Sequence, residues 1–162
     1  MDERRELLAV LRDDAREDIA DIARQTGLDE ERVRALLAEL EAEGIVRGYR
    51  AVVDWDRAEY DHVEAVVELN VELDRETKYG DIAGRIAGFP EVDSLRLVSG
   101  NYDFDLTVQG ESMHEGSRFV AQKIAPLPEV AQTGTHFVMR TYKDRGVEFG
   151  RRDEDDRLVV SP

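Results

Sequence analysis

The sequence predicts an α+β chain in two parts, an N-terminal winged helix-turn-helix followed by a ferredoxin-like β-α-β-β-α-β sandwich. Three observations carry this reading. Short helical stretches fill the first 44 residues and are interrupted by the turn Gln25-Thr26-Gly27-Leu28. Further on, Ile86-Ala87-Gly88-Phe89-Pro90-Glu91-Val92 is echoed by Ile124-Ala125-Pro126-Leu127-Pro128-Glu129-Val130, at an offset of 38 positions. Between the two copies lies Ser99-Gly100-Asn101-Tyr102-Asp103-Phe104-Asp105-Leu106, whose Gly-Asn dipeptide marks a tight hairpin turn joining two β-α-β units.

The helices follow from apolar spacing. Leu7, Leu8 and Leu11 give a first helix from Glu3 to Arg12, and Ile19, Ile22 and Ala23 give a short second one stopped by Thr26-Gly27. Asp29 suits an N-cap, and Val33, Leu36, Leu37 and Leu40 carry a third helix down to Glu43 before Gly44 ends it. Ile45-Val46-Arg47, Gly48 and Tyr49 to Val53 read as a small β-hairpin, the wing. Residues 54–61 form a charged connector whose Trp55 and Tyr60 are expected to pack against one of the domains.

The sandwich is expected over residues 62–143. His62 to Leu73 alternates, with Val63, Ala65, Val67, Leu69, Val71 and Leu73 on one side, as a half-buried strand does. Tyr79 to Ala87 is its first helix, Val92 to Val98 and Phe104 to Val108 its middle strands, Ser112 to Ala125 its second helix and Val130 to Tyr142 its last strand. Residues 144–162 read as a charged tail, with a charge run from Arg151 to Arg157 and Leu158-Val159-Val160 as a frayed edge strand or no element at all.

Composition narrows the function. No apolar run approaches the roughly 20 residues that span a bilayer, and the acidic start Met1-Asp2-Glu3 is unlike a secretory signal, so a cytoplasmic protein without membrane contact is expected. Cysteine is absent, which removes disulfides, thiolate metal sites and cysteine nucleophiles. The net charge is −15, with acidic residues spread along the chain and only three lysines beside 19 arginines. Such a surface suits concentrated salt, as in a halophilic microbe, because at about 1 M the Debye length falls to about 3 Å and self-repulsion is screened; the alternative is an acidic protein of an ordinary cytoplasm.

The winged helix-turn-helix, the Leu97-Val98-Ser99-Gly100-Asn101-Tyr102-Asp103 hairpin, Gly48-Tyr49 after the wing strand and the Leu127-Pro128-Glu129-Val130 entry to the last strand occur in an order that resembles the Lrp/AsnC (feast/famine) family of transcription regulators. The resemblance spans residues 3–149. It implies a DNA-binding domain over residues 1–53 and a ligand-binding domain of the RAM type, dimerisation through the sandwich sheets, and commonly a ring of four dimers. It also implies a small effector, usually an amino acid, held between dimers. Carried to matching positions, Gly100, Asn101, Tyr102 and Asp103 line that pocket, and Thr133 and Thr135 are candidates from a second subunit. Independently of family, backbone N–H groups around Ser99-Gly100 and the Asp103 carboxylate suit the two ends of an amino acid. The same residues also suit a plain hairpin, with Asn101 at positive φ and Asp103 as its cap.

The third helix is the expected reader of double-stranded DNA in the major groove. Arg32 and Arg34, with Gln25 and Thr26 at the turn, are expected to contact bases, and Arg47 and Arg50 of the wing to contact phosphate. Yet residues 1–50 hold nine arginines against fourteen carboxylates, and relatives of this kind carry more basic residues where Ala35, Ala38 and Glu39 stand. The alternatives are a solvated face in which Arg32 and Arg34 pair with Glu30 or Glu31, and a ligand sensor acting through protein partners. Catalysis has little to stand on. His62, His114 and His136 are isolated, no nucleophile motif accompanies Asp103 and Asp105, and neither cofactor nor metal is expected.

Overall fold

The computed structural model describes residues 2–74 and 76–150 and divides into two compact units. The first is the helical segment through Val53, joined by Lys143–Glu148; the second is built on Asp54–Tyr142.

In the first unit, α1 (Glu3–Asp13), α2 (Ile19–Thr26) and α3 (Glu30–Ala42) pack around Leu7, Ile22, Val33, Leu36 and Leu40. Each helix opens on an aspartate. Asp2, Asp18 and Asp29 accept the N–H groups of Arg4, Asp21 and Arg32, satisfying donors that have no partner inside the helix. Gly27 closes α2 at φ +72, a left-handed conformation that a side chain resists, and so lets the chain turn into α3. The expected wing hairpin is not formed. Residues 45–53 carry no strand, and among the described residues the ladder in this unit is the short hairpin of β5 (Lys143–Asp144) and β6 (Val147–Glu148). Nearly every side chain from 45 to 50 is exposed, and the segment is tied instead to the end of α3 through the Tyr49 hydroxyl and Glu41.

The second unit is the split β-α-β pair. The antiparallel sheet runs β2 (Val92–Leu97), β3 (Phe104–Gly110), β1 (Val63–Val71), β4 (Val130–Phe137). Leu69 stands opposite both Phe104 and Thr133, and Val67 opposite both Leu106 and Thr135. One face is therefore apolar. Onto it pack Ile82 and Ile86 of α5 (Tyr79–Ala87) and Phe119 of α6 (Met113–Phe119), with Val120 and Ile124 from the π-helical turn Val120–Ile124 that continues α6. The wider turn brings Phe119, Val120 and Ile124 inward together, as the sequence requires. Glu64, Val66, Glu68 and Asn70 of β1 point to the other face, which no helix among the described residues of this unit covers.

Several expectations change in detail. The strands end earlier, at Val71 and Phe137, and Leu73 is exposed. The connector contains a one-turn helix, α4 (Trp55–Ala58), and Trp55 stacks on His62 with ring centroids 4.5 Å apart, whereas Tyr60 is 74% exposed. Residues 98–103 form a six-residue connection rather than a two-residue turn, with positive φ at Gly100 (+140) and not at Asn101. Of the expected tail 144–162, residues 144–148 belong to the β5–β6 hairpin of the first unit, and residues 151–162 lie outside the described residues.

Candidate functional site

On the helical unit, α3 buries Val33, Leu36 and Leu40, which leaves Glu31, Arg34, Ala35, Ala38 and Glu39 on its exposed side. The six expected DNA-contacting residues divide. Arg34 lies on that outer side and is held by Glu30 at 2.6 Å, one turn back on the same helix. Gln25 is exposed and donates to Glu17 at 2.5 Å. Arg47 is exposed beside the helix end, its Nε donating to the Gly44 carbonyl at 3.0 Å, and Arg50 is exposed. Arg32 and Thr26 are engaged by partners within the unit instead. The Arg32 guanidinium reaches α1, donating to Glu3 at 2.8–2.9 Å and to Glu39 at 3.4 Å, and these carboxylates raise its pKa above the ordinary arginine value. The Thr26 hydroxyl donates back to the Ile22 carbonyl at 2.8 Å.

Two further features belong to this unit. Ala35 and Ala38 leave a strip of α3 without long or charged side chains on its exposed side. Tyr49 donates to Glu41 at 2.8 Å and so fastens the extended segment to the end of α3; partial burial and that carboxylate push its phenol up to about 12, so it stays a neutral donor.

On the sandwich, the connection 98–103 is tied into the sheet. Val98 N–H donates to the Asp103 carbonyl at 2.9 Å and Asp103 N–H to the Leu69 carbonyl at 2.8 Å. The Asp103 side chain does the rest: Oδ2 accepts the Val71 N–H at 2.9 Å and Oδ1 accepts the Tyr79 hydroxyl at 3.2 Å. This bond holds the Tyr79 phenol above its ordinary pKa and therefore protonated. Asn70 donates to the Asn101 carbonyl at 2.9 Å. Gly100 and Asn101 remain at the tip, exposed. Tyr102 turns toward the open sheet face, where the Glu68 charge raises its pKa.

Asp103 and Asp105 do not form a same-face pair. Asp103 precedes β3 and is used as described, whereas Asp105 points to the open face and pairs with Arg96 at 3.1 Å. Thr133 and Thr135 are not brought to the loop within one chain. They share the helix-facing side with Leu69 and Val67, and β1 lies between their strand and β3. Tyr79 and Asn70 are the residues missed here; both owe their roles to contacts more than 20 positions away in the chain, which no local pattern records. Among the described residues no group of His, Asp or Glu is arranged to hold a metal ion, and no helix is long and apolar enough to cross a membrane.

A capped helix-turn-helix joined to a split β-α-β sandwich with a fastened central loop defines a DNA-binding regulator carrying a ligand-binding domain. Residues 2–47 match the winged helix-turn-helix DNA-binding model and residues 64–148 the Lrp/AsnC ligand-binding domain model. The chain belongs to the Lrp/AsnC family of HTH-type transcriptional regulators. An HTH-type transcriptional regulator of Bacillus subtilis is 35% identical over 158 residues, 97% of this chain and 95% of the relative. A proline dehydrogenase transcriptional activator of Rhizobium radiobacter is 27% identical, covering 87% of this chain and 90% of its own. Among solved structures, AsnC of Escherichia coli superposes with a TM-score of 0.66 at 22% identity, covering 91% of this chain and 97% of that one. A Neisseria meningitidis transcriptional regulator in complex with L-Met gives 0.68 at 23% identity, covering 89% and 92%. The relatives are transcription regulators, not enzymes.

Proposed function

We propose that this regulator acts in the cytoplasm on genes of amino acid metabolism, reading double-stranded DNA with α3 and changing its affinity when an amino acid binds beside residues 100–103. The observation that carries the reading is Asp103. One carboxylate fastens the connection to Val71 and Tyr79, so Gly100, Asn101 and Tyr102 are presented on a fixed support rather than on a loose loop. A preorganised support lowers the ordering cost of binding. On the DNA side, Arg34, Gln25, Arg47 and Arg50 are the contacts we propose, with Arg32 bracing α3 against α1.

The uncovered sheet face supports a homodimer. It holds Glu68, Asp105, Arg96 and His136, with His136 3.6 Å from Glu68, so charges of both signs are already arranged for a second copy. Two reader heads then address half-sites about one helical turn apart. Assembly of four such dimers, with Thr133 and Thr135 contributed from a neighbouring subunit, completes the proposal. Fluorescence anisotropy with duplex from upstream of the chain's own gene tests it, read with and without each amino acid. Binding that differs between that duplex and a scrambled one, and that shifts with at least one amino acid, supports the reading. Equal binding to both duplexes under all conditions refutes it.

A further inference from the structure

The arginines of the helical unit are mostly committed. Arg4, Arg12, Arg24, Arg32 and Arg34 each pair with a carboxylate, and Arg47 donates to the Gly44 carbonyl. Arg16 is different. Its side chain is exposed and, among the described residues, lies within ion-pair distance of no carboxylate, although Asp13, Asp14, Glu17 and Asp18 surround it in the chain. Each of those four is used elsewhere: Asp13 by the Arg12 side chain, Asp14 by the Arg16 N–H at 2.8 Å, Glu17 by Gln25 at 2.5 Å and Asp18 by the Asp21 N–H at 2.8 Å. The turn from α1 into α2 is thus tied through its backbone, while the guanidinium it carries stays open to solvent.

We propose that Arg16 anchors the reader head to the DNA backbone, its guanidinium meeting a phosphate beside the groove that α3 enters. The inference rests on the reading of α3 as the DNA-facing helix and adds a contact outside that helix. Position supports it first. In a docked helix-turn-helix the first helix of the pair crosses the sugar-phosphate backbone while the second lies in the major groove. Arg16 stands just before that first helix, α2, and next to Glu17, whose carboxylate reaches Gln25 near the turn into α3. Charge supports it second. A guanidinium presents paired donors that match the oxygens of a phosphate. Arg34 has to leave Glu30 before it can meet DNA, and the carboxylate left behind takes up a cation, so that exchange releases few ions in total. Arg16 gives up no such partner, and the phosphate it neutralises releases its counterion in full. Arg5 of α1 is likewise exposed and unpaired among the described residues, but α1 lies outside the two-helix pair, which makes Arg5 the matched comparison.

Fluorescence anisotropy of the full chain on its own upstream duplex and on a scrambled one, from about 0.1 M to about 1 M KCl, tests this. Arg16→Ala is expected to weaken binding to both duplexes by the same factor and to lower the slope of log K against log salt by about 0.9 for each bound head. Its melting temperature should match the parent, because the side chain holds nothing in the fold. Arg16→Lys, which keeps the charge, should restore the slope. Arg5→Ala removes the same charge from α1 and should leave the slope as in the parent, since exposed charges beyond a Debye length are screened. An equal fall for Arg5→Ala and Arg16→Ala assigns the effect to net charge and overturns the anchor. A loss confined to the own duplex makes Arg16 a base reader and overturns it as well. If Arg34→Ala weakens binding while Arg16→Ala changes neither affinity nor slope, the anchor is wrong and α3 remains the reader. If the parent binds neither duplex, or neither variant alters binding, both readings fail.

Discussion

Both oxygens of Asp103 accept hydrogen bonds, from the Val71 N–H and the Tyr79 hydroxyl, and an asparagine there keeps one acceptor for Val71 and deprives the Tyr79 hydroxyl of its charged acceptor. Asp103→Asn is therefore expected to cost about 1–3 kcal/mol of sandwich stability, read by urea unfolding, because a partly buried group loses its partner. An unchanged unfolding midpoint would show that the clamp does not hold the connection. Arg32 and Arg34 separate the two duties of α3. Arg34→Ala should leave the melting temperature unchanged and weaken binding to the regulator's own DNA site by about 1–3 kcal/mol, if Arg34 leaves Glu30 for a base edge. Arg32→Ala should instead lower the melting temperature at low salt, an effect that fades as salt screens the exposed pair with Glu3. The reverse pattern would exchange their roles.

The two halves of the sandwich are cross-tied by Arg85 near the end of α5 and Glu129 just before β4, a glutamate only 15% exposed. The Arg85 guanidinium holds the Glu129 carboxyl below the usual carboxylate range. A depressed folded-state pKa contributes stability above the ordinary glutamate value of about 4.3 and loses it as pH falls through the lower folded value. Melts taken from pH 6 down to pH 3 should therefore show a shallower acid decline for Glu129→Gln than for the parent; parallel curves would remove the pair from the acid response. Gly116 of α6 is the other element-scale constraint. A Cβ there would lie 3.3 Å from the Phe137 ring, so Gly116→Val should destabilise by about 1–3 kcal/mol through overpacking. How much was legible divides along the same line. The bounds of α5 follow from Tyr79 to Ala87 as spacing and the Pro-Glu-Val punctuation imply, and the inward set Phe119, Val120 and Ile124 is buried. The hairpin expected over residues 45–53 was over-read, because the apolar residues of that run do not form a strand in the structure. The Asp103 clamp was not legible, since its partner Val71 is 32 positions away and an aspartate after Gly-Asn reads equally as a local cap. At α3 the residue types mark the helix, but only the position of Glu3 on α1 decides that Arg32 pairs across to that helix.

At the scale of the whole molecule, the net charge of −15 opposes approach to a polyanion, and Glu30 and Glu31 stand at the very start of the reader helix. Within the helical unit, Arg4, Arg24, Arg32 and Arg34 are all paired with carboxylates. We propose that the regulator works in concentrated salt, where screening relaxes both the repulsion and the internal pairs. The double variant Glu30→Gln and Glu31→Gln should then raise DNA affinity strongly at about 0.1 M KCl and little at about 1 M, where the Debye length is about 3 Å. A gain independent of salt would mean that these side chains touch the DNA directly. The measurement that tests the account most directly is anisotropy of the full chain on its own upstream duplex, with a saturating amino acid present or absent. The duplex is expected to outcompete scrambled DNA by about a thousandfold or more, and the amino acid to shift its Kd severalfold. Identical Kd values for both duplexes, unmoved by any amino acid, would contradict it.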